Sequence, residues 1–277
     1  MTAASLLPEP ESPFVATAHP LLPGPGAPIY RCCALIPTYD NPRTLRRVVE
    51  RVRQHLLDVV VIDDGSGPEA QAVCRALANE GLAHVIRHEK NGGKGAAVKS
   101  GLRWASEHEF THALQIDADG QHDVGRIPFF VERSRRQPEA AVLAYPEYDE
   151  SAPRLRRVAR RFTQFWVNLE AGKGLIRDPM IGLRVYPLAT VTELRVAGNR
   201  MDFDVEITVR LAWAGVPIVN LPVHVRYLTA SEGGVSHFQP WMDNVRFAWL
   251  HSKLCTLKGW SWCWRGLRRL LRPVTGG

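Results

Sequence analysis

From Tyr30 onward, short apolar runs alternate with stretches whose apolar residues recur every three or four positions, and this alternation limits the possible folds more than any other feature. Residues 32–36, closed by Pro37, read as a buried strand, and Leu45, Val48, Val49, Val52 and Leu56 fall on one helical face. Residues 59–62 form a second apolar run, Val73, Leu77 and Ala78 mark a helix, and residues 84–87 read as a third strand. Asn91-Gly92-Gly93-Lys94-Gly95 opens a helix carrying Val98, Leu102 and Trp104, and a fourth strand surrounds Leu114. Residues 127–135 are expected to be helical, 140–145 extended and 218–225 a closing strand. Strands separated by helices of this length imply βαβ units, hence an α/β fold with a mostly parallel central sheet and helices on both faces. Functional loops in such sheets lie beyond the carboxyl ends of the strands.

Three of those ends carry acids: Thr38-Tyr39-Asp40, Asp63-Asp64, and Asp117-Ala118-Asp119-Gly120-Gln121-His122-Asp123. Side chains two apart on an extended backbone share a face, so Asp117 and Asp119 are expected to point into one pocket. Two close carboxylates repel unless a cation lies between them. Oxygen ligands suit Mg2+ or Mn2+, which keep waters and take the oxygens of a bound diphosphate. Asp, Gly and Gln are also ordinary turn residues, so each acid taken singly has a structural explanation. Their joint placement after successive strands is what points to a nucleotide. Tyr39 can stack on a base, and Asp40 or Asp64 can accept hydrogen bonds from base or sugar. The glycine-rich loop lacks the Walker spacing and contributes backbone donors and Lys94.

The net charge of +7 is unevenly placed. Seven basic residues stand against the single acid Glu170 between Arg154 and Arg177, and seven more follow from Arg246 with no acid, which leaves the rest of the chain net acidic. Such polarity suits an anionic partner, a membrane surface or nucleic acid. Five cysteines without paired spacing favour a reducing compartment. Residues 1–28, rich in Pro and Ala, lack the basic start and apolar core of a signal peptide and read as a flexible tail. No window is apolar enough for a membrane span.

The ordered set Ile36-Pro37-Thr38-Tyr39-Asp40-Asn41, Val61-Ile62-Asp63-Asp64-Gly65-Ser66, Asn91-Gly92-Gly93-Lys94-Gly95 and Asp117-Ala118-Asp119 resembles the nucleotide-sugar half of family 2 glycosyltransferases of GT-A fold. Within that family it is most similar to the polyprenyl-phosphate (dolichol-phosphate) sugar transferases, over roughly residues 30–240. The resemblance implies metal ligation by Asp117, Asp119 and Gln121, and contact with base and ribose by Pro37, Tyr39, Asp40 and Asp64. Asp178-Pro179-Met180-Ile181-Gly182-Leu183-Arg184 is similar to the relatives' Asp-x-x-Ser-Gly-Phe-Arg segment, with Ile181 in place of the Ser, and at that position Arg184 suggests a phosphate contact. Met201-Asp202-Phe203-Asp204-Val205-Glu206 starts a helix and resembles the relatives' acidic helix, where Glu206 matches the most regular acid. Ser236 and His237 stand in the place of a Gly-x-Ser-Lys phosphate contact.

The resulting expectation is one GT-A domain over residues 29–228, with a nucleotide-sugar half (29–123) and an acceptor half (124–228), followed by a basic, aromatic, amphipathic helical extension (229–277). The expected function is metal-dependent, inverting transfer of one sugar to a lipid phosphate or lipid hydroxyl. A phosphate acceptor is already ionised; a hydroxyl needs a base, with Asp204 the first candidate and Glu206 the second. Leu155, Val158, Phe162, Phe165, Trp166 and Leu169 among arginines, and the Trp-rich C-terminal segment, are expected to lie on an anionic membrane surface at the cytoplasmic face. A nucleotidyltransferase, or a nucleic-acid-binding protein using the basic segments, are the competing readings.

Overall fold

The computed structural model describes residues 29–147, 154–225 and 240–270. The tail expected at residues 1–28 therefore lies outside the described residues, as do Ser236 and His237. The first half runs β1 (Cys32–Thr38), α1 (Leu45–Arg53), β2 (Val59–Asp63), α2 (Pro68–Asn79), β3 (His84–Arg87), α3 (Lys94–Glu107) and β4 (His112–Gln115). The second half runs α4 (Ile127–Arg136), β5 (Ala141–Glu147), α5 (Arg154–Ala171), β6 (Arg184–Pro187), α6 (Leu188–Val191), α7 (Asp202–Trp213), β7 (Ile218–His224) and α8 (Pro240–Leu270). One seven-stranded sheet has the order β3-β2-β1-β4-β6-β5-β7.

Every residue of β1 is buried, because the strand sits mid-sheet with helices above and below. The two-residue period sends Cys33 and Leu35 to one face, against Ala97, Val98 and Leu102 of α3 and Phe203 and Val205 of α7. Ala34 and Ile36 go to the other, against Leu45, Val48, Val49 and Val52 of α1, Cys74 of α2 and Phe130 of α4. Each fully buried Leu or Ile contributes about 1.5–3 kcal/mol, so this double core is what anchors the strand ends that carry the acids.

Strands β1, β2, β3 and β4 pair in parallel, as do β5 and β7, and β6 runs antiparallel between β4 and β5. That reversed strand was not expected. Arg-Val-Tyr-Pro is only four residues long, begins with a charge and ends with Pro, and carries no periodic signal of its own. The C-terminal extension is carried by α8, whose first half packs on the domain. Phe247, Leu250 and Leu254 of α8 belong to the main core, and the helix packs on α5 and α7. No helix among the described residues is long and apolar enough to cross a membrane.

Candidate active site

The carboxyl ends of β1, β2 and β4 lie side by side, since the three strands are parallel neighbours. β4 stops at Gln115, so Asp117 and Asp119 stand in the turn just beyond it rather than on the strand. That turn is held by the Thr44 hydroxyl, which donates to the Ala118 carbonyl at 2.7 Å, and by Asp119 Oδ1, which accepts from the Gln121 N–H at 2.9 Å. Gly182 closes the floor: a Cβ there would run into the Asp117 carboxylate. The glycine of the 178–184 segment is thus required by close approach, and Ile181 beside it is a buried core residue.

Lys94, the first residue of α3, extends its ammonium between two acids from opposite halves of the chain. Its Nζ lies 2.8 Å from Asp117 Oδ1 and 2.9 Å from Asp204 Oδ2, and it donates to Asp117 Oδ2 at 3.0 Å. Burial alone would lower the Lys94 pKa, but Asp117 and Asp204 outweigh it and hold the ammonium above its ordinary value. Burial likewise would raise Asp117, yet Lys94 and His122 keep its carboxyl well below the usual carboxylate range. Asp119 goes the other way: burial raises it, and the neighbouring Asp117 charge adds to the rise against the pull of His122. A carboxylate raised in this way is one that a cation would stabilise.

His122 is buried, with Nε2 3.6 Å from Asp117 Oδ2 and with a buried Nδ1 that accepts or donates no hydrogen bond. Sequence reasoning gave this histidine no role; its place directly after the Asp-x-Asp-x-Gln run was the available signal. Asp117 Oδ1 is buried too, with the Lys94 ammonium 2.8 Å away. The Asp117 and Asp119 carboxylates offer oxygens of the kind that a hard divalent ion takes.

The base and ribose residues are placed less uniformly. Pro37 is buried inside β1 opposite Ile62, while Tyr39 and Asp40 are half-buried at the strand end. Asp40 has a φ of 49° and ties the first two loops together, its Oδ1 accepting from the Gly67 N–H at 2.7 Å and its own N–H donating to Ser66 Oγ at 2.9 Å. Asp64 is turned inward. Its Oδ1 accepts from the Gly92 N–H at 3.0 Å and faces His88 Nδ1 at 2.7 Å, and its Oδ2 accepts from the Gly93 N–H at 2.6 Å. Asp64 therefore shapes the glycine loop that presents Lys94. His88, steadied by Ser100 Oγ at 3.0 Å, completes this support and was not read from the sequence.

Two more of the expected site residues face inward. Arg184 is fully buried, and its guanidinium donates to the carbonyls of Ile181 (2.8 Å), Pro179 (2.6 Å) and Asp204 (3.0 Å) and to Tyr186 Oη (3.2 Å). Through these bonds beneath the site it braces α7 and the 178–184 segment. Glu206, two residues from Asp204 on α7, points to another side of the helix. It accepts from the Gly198 N–H at 2.7 Å and pairs with Arg210 at 2.6 Å and Lys253 at 3.5 Å. Burial would raise its pKa, but the Gly198 N–H, Arg210 and Lys253 lower it.

A model of glycosyl transferase family 2 matches residues 33–187, more than half of the chain. The chain belongs to glycosyl transferase family 2. It is similar to the polyprenol monophosphomannose synthase of Mycolicibacterium smegmatis, 28% identical over 238 residues, covering 80% of this chain and 85% of that protein. It is also similar to the undecaprenyl-phosphate mannosyltransferase of Micrococcus luteus, 27% identical over 209 residues and covering 70% and 82%. Among solved structures, glucosyl-3-phosphoglycerate synthase from Mycobacterium tuberculosis in complex with uridine diphosphate aligns with a TM-score of 0.62 at 16% identity, over 82% of this chain and 80% of that one. The same synthase with Mn2+, UDP-glucose and phosphoglyceric acid gives 0.55 at 17% identity, over 73% and 74%. The fold is the expected GT-A fold, and this family 2 glycosyltransferase is an enzyme; the nucleotidyltransferase and binding-protein readings give way to the family match.

Because the folded-state carboxyl of Asp117 is held low, it adds stability that is fully present above the ordinary carboxylate value of about 4 and is lost as pH falls through its lower folded value. Lys94→Met removes the cation responsible and leaves Asp117 facing Asp204. In metal-free buffer the variant should lose about 3–5 kcal/mol at pH 7, and the difference should shrink as pH falls to 4 and below. Denaturant unfolding at the two pH values measures this; an equal loss at both would contradict the charge cluster.

Proposed function

We propose that this glycosyltransferase moves one sugar from a nucleoside-diphosphate sugar to an acceptor that attacks through a phosphate oxygen, with a polyprenyl phosphate as the favoured acceptor class. The observation that carries the reading is the state of the two acids available as bases. Asp204 has Lys94 Nζ at 2.9 Å and Arg184 Nη1 at 3.4 Å, with Gln115 Nε2 at 3.5 Å. Taking a proton there would cost Lys94 one of its two carboxylates and Arg184 the carboxylate it faces. Glu206 is held in its own ion-pair cluster. A hydroxyl acceptor needs a base, whereas a phosphate monoester is an oxyanion at neutral pH and needs none. The names of the two relatives from Micrococcus luteus and Mycolicibacterium smegmatis, which refer to polyprenyl phosphates and mannose, agree with this acceptor.

In the step itself an acceptor oxygen forms a bond to the anomeric carbon while the bond from that carbon to the diphosphate oxygen breaks, and the electron pair leaves with the diphosphate. A single displacement of this kind inverts the anomeric centre. Asp117, Asp119 and Gln121 would hold Mg2+ or Mn2+, which supplies Lewis-acid stabilisation of the departing diphosphate. Among the described residues no three His, Cys, Asp or Glu side chains are grouped to hold a metal by themselves. Phosphate oxygens and water would complete the shell of such an ion, the usual habit of Mg2+. Lys94 keeps Asp117 ionised and oriented, and the half-buried Tyr39 stands at the mouth where a base would stack.

Transfer of radiolabelled sugar from a panel of nucleotide sugars, with Mn2+, to matched polyprenyl phosphate and polyprenol of equal chain length tests the proposal. Product is expected from the phosphate alone. Equal or faster transfer to the alcohol would overturn it.

A peripheral position on the cytoplasmic membrane belongs to the same reading. Phe162, Phe165 and Leu169 of α5 are 65%, 61% and 54% exposed, and Trp249 of α8 is 73% exposed. Arg161 is exposed beside them, and the Lys258 ammonium caps the Leu169 carbonyl at 2.7 Å, so cations border the apolar residues. The side chains from Trp260 onward lie outside the described residues. Since burying a Phe contributes about 1.5–3 kcal/mol, replacing Phe162 and Phe165 by Ser should weaken sedimentation with anionic vesicles by about a hundredfold or more. Unchanged sedimentation would remove this face from membrane contact.

A further inference from the structure

We infer that Arg200 is a phosphate-binding residue of this site, an inference that rests on the nucleoside-diphosphate reading above. Of the cationic groups that the sequence offered for that task, His237 lies outside the described residues and the other two are committed elsewhere. Arg184 has its guanidinium donors taken by carbonyls and Tyr186 beneath the site, and Lys94 is braced between Asp117 and Asp204. A site that receives a diphosphate still needs a cation on its open side, because phosphate oxygens are bound most strongly by charge-assisted donors.

Arg200 is exposed and lies against the glycine loop that presents Lys94. Its chain crosses directly over the glycine loop: Gly93, with φ +100°, has the Asn199 carbonyl 2.5 Å and Arg200 Cγ 2.6 Å from where a Cβ would stand. Only glycine permits both the backbone conformation and the crossing. Lys94 is the next residue in one direction, and Asp204, which it contacts, lies four residues after Arg200 in the other. Arg200 is therefore tied to both halves of the charge cluster without being part of it.

The loop that carries Arg200 is built more firmly than an exposed turn requires. Lys99 Nζ donates to the carbonyls of Val196 (3.2 Å) and Gly198 (3.0 Å) and to Asn199 Oδ1 (2.5 Å). The Ala96 N–H donates to the Asn199 carbonyl at 3.0 Å, Glu206 accepts from the Gly198 N–H at 2.7 Å, and the Arg200 N–H donates to Asp202 Oδ1 at 3.0 Å. This explains why Glu206 is buried and ion-paired: it anchors the loop. At the end of that scaffold the exposed Arg200 guanidinium makes one neutral hydrogen bond, Nη1 to Asn91 Oδ1 at 3.2 Å, and among the described residues it has no carboxylate partner. A fixed backbone that presents a planar, unpaired guanidinium over a glycine loop matches the bidentate geometry of phosphate oxygens. Asn91 holds the fork in place until those oxygens arrive.

Arg200→Gln keeps most of the side chain and removes the charge; Arg200→Lys keeps the charge and removes the fork. Calorimetric titration with uridine and guanosine diphosphates in the presence of Mn2+, and KM values for nucleotide sugar and polyprenyl phosphate, separate the donor diphosphate from the acceptor phosphate as the bound group. Arg200→Gln is expected to weaken one of the two by about tenfold to a hundredfold, Arg200→Lys to recover part of it, and the unliganded melting temperatures to stay within a degree or two of the parent. Loss of diphosphate affinity assigns the donor; a raised acceptor KM with intact diphosphate binding assigns the acceptor. Parent-like values for both ligands in Arg200→Gln, or an equal fall in unliganded melting temperature in both variants, would overturn the inference. Failure of the parent protein to bind either nucleoside diphosphate with Mn2+ would overturn the reading of the site, and the inference with it.

Discussion

One ammonium group joins the two halves of this protein. Lys94 stands at the start of a helix from the first half and reaches both Asp117, just past the fourth strand, and Asp204, in the first turn of a helix from the second half. Removing these charges from water carries a desolvation penalty of several kcal/mol per ion, so the cluster persists only because the sheet and both layers of helices hold it in register. The same cluster sets the chemistry. It holds the Asp117 carboxyl low, leaves Asp119 beside a like charge, and sets Asp204 against Lys94 and Arg184.

A second polar layer lies underneath. Tyr186 donates to Gln115 at 3.1 Å, Arg184 donates to Tyr186, and Arg184 also holds the Asp204 carbonyl. These buried groups come from β4, β6 and α7, and they explain why an antiparallel strand is inserted in an otherwise parallel arrangement: β6 delivers Arg184 and Tyr186 to the underside of the site. Satisfied networks of this kind make the geometry above them rigid. The acidic residues at the mouth are thus supported from below by cations and from the side by the loop that Lys99 and Glu206 hold.

Most of the architecture was legible because its elements have strong periods. The strand at residues 84–87 and the helix with Leu45, Val48, Val49 and Val52 inside stand where the pattern places them, and the glycine loop opens α3. The four-residue β6 was not legible, since a strand that short has no period to detect. Within the site, residue types were readable and directions were not. Asp64, Arg184 and Glu206 are the right chemical groups for ribose, phosphate and base, yet each turns toward the protein, because neighbouring backbone N–H groups and carbonyls needed partners. Which way a charged side chain faces depends on contacts far apart in the chain, such as Asp64 with Gly93 or Glu206 with Gly198 and Lys253. His122 escaped notice for the opposite reason: it has few contacts, and its importance is visible only from its closeness to Asp117.

The central claim is that Asp117 and Asp119 complete a cation site together with the phosphates of a bound nucleotide. Electron paramagnetic resonance titration of Mn2+ against the protein measures this directly, with and without saturating nucleoside diphosphate, in the parent and in Asp117→Asn/Asp119→Asn. Mn2+ affinity should rise at least tenfold when the diphosphate is present, and the rise should vanish in the double variant. An equal rise in the double variant, or an affinity indifferent to the diphosphate, would contradict the account.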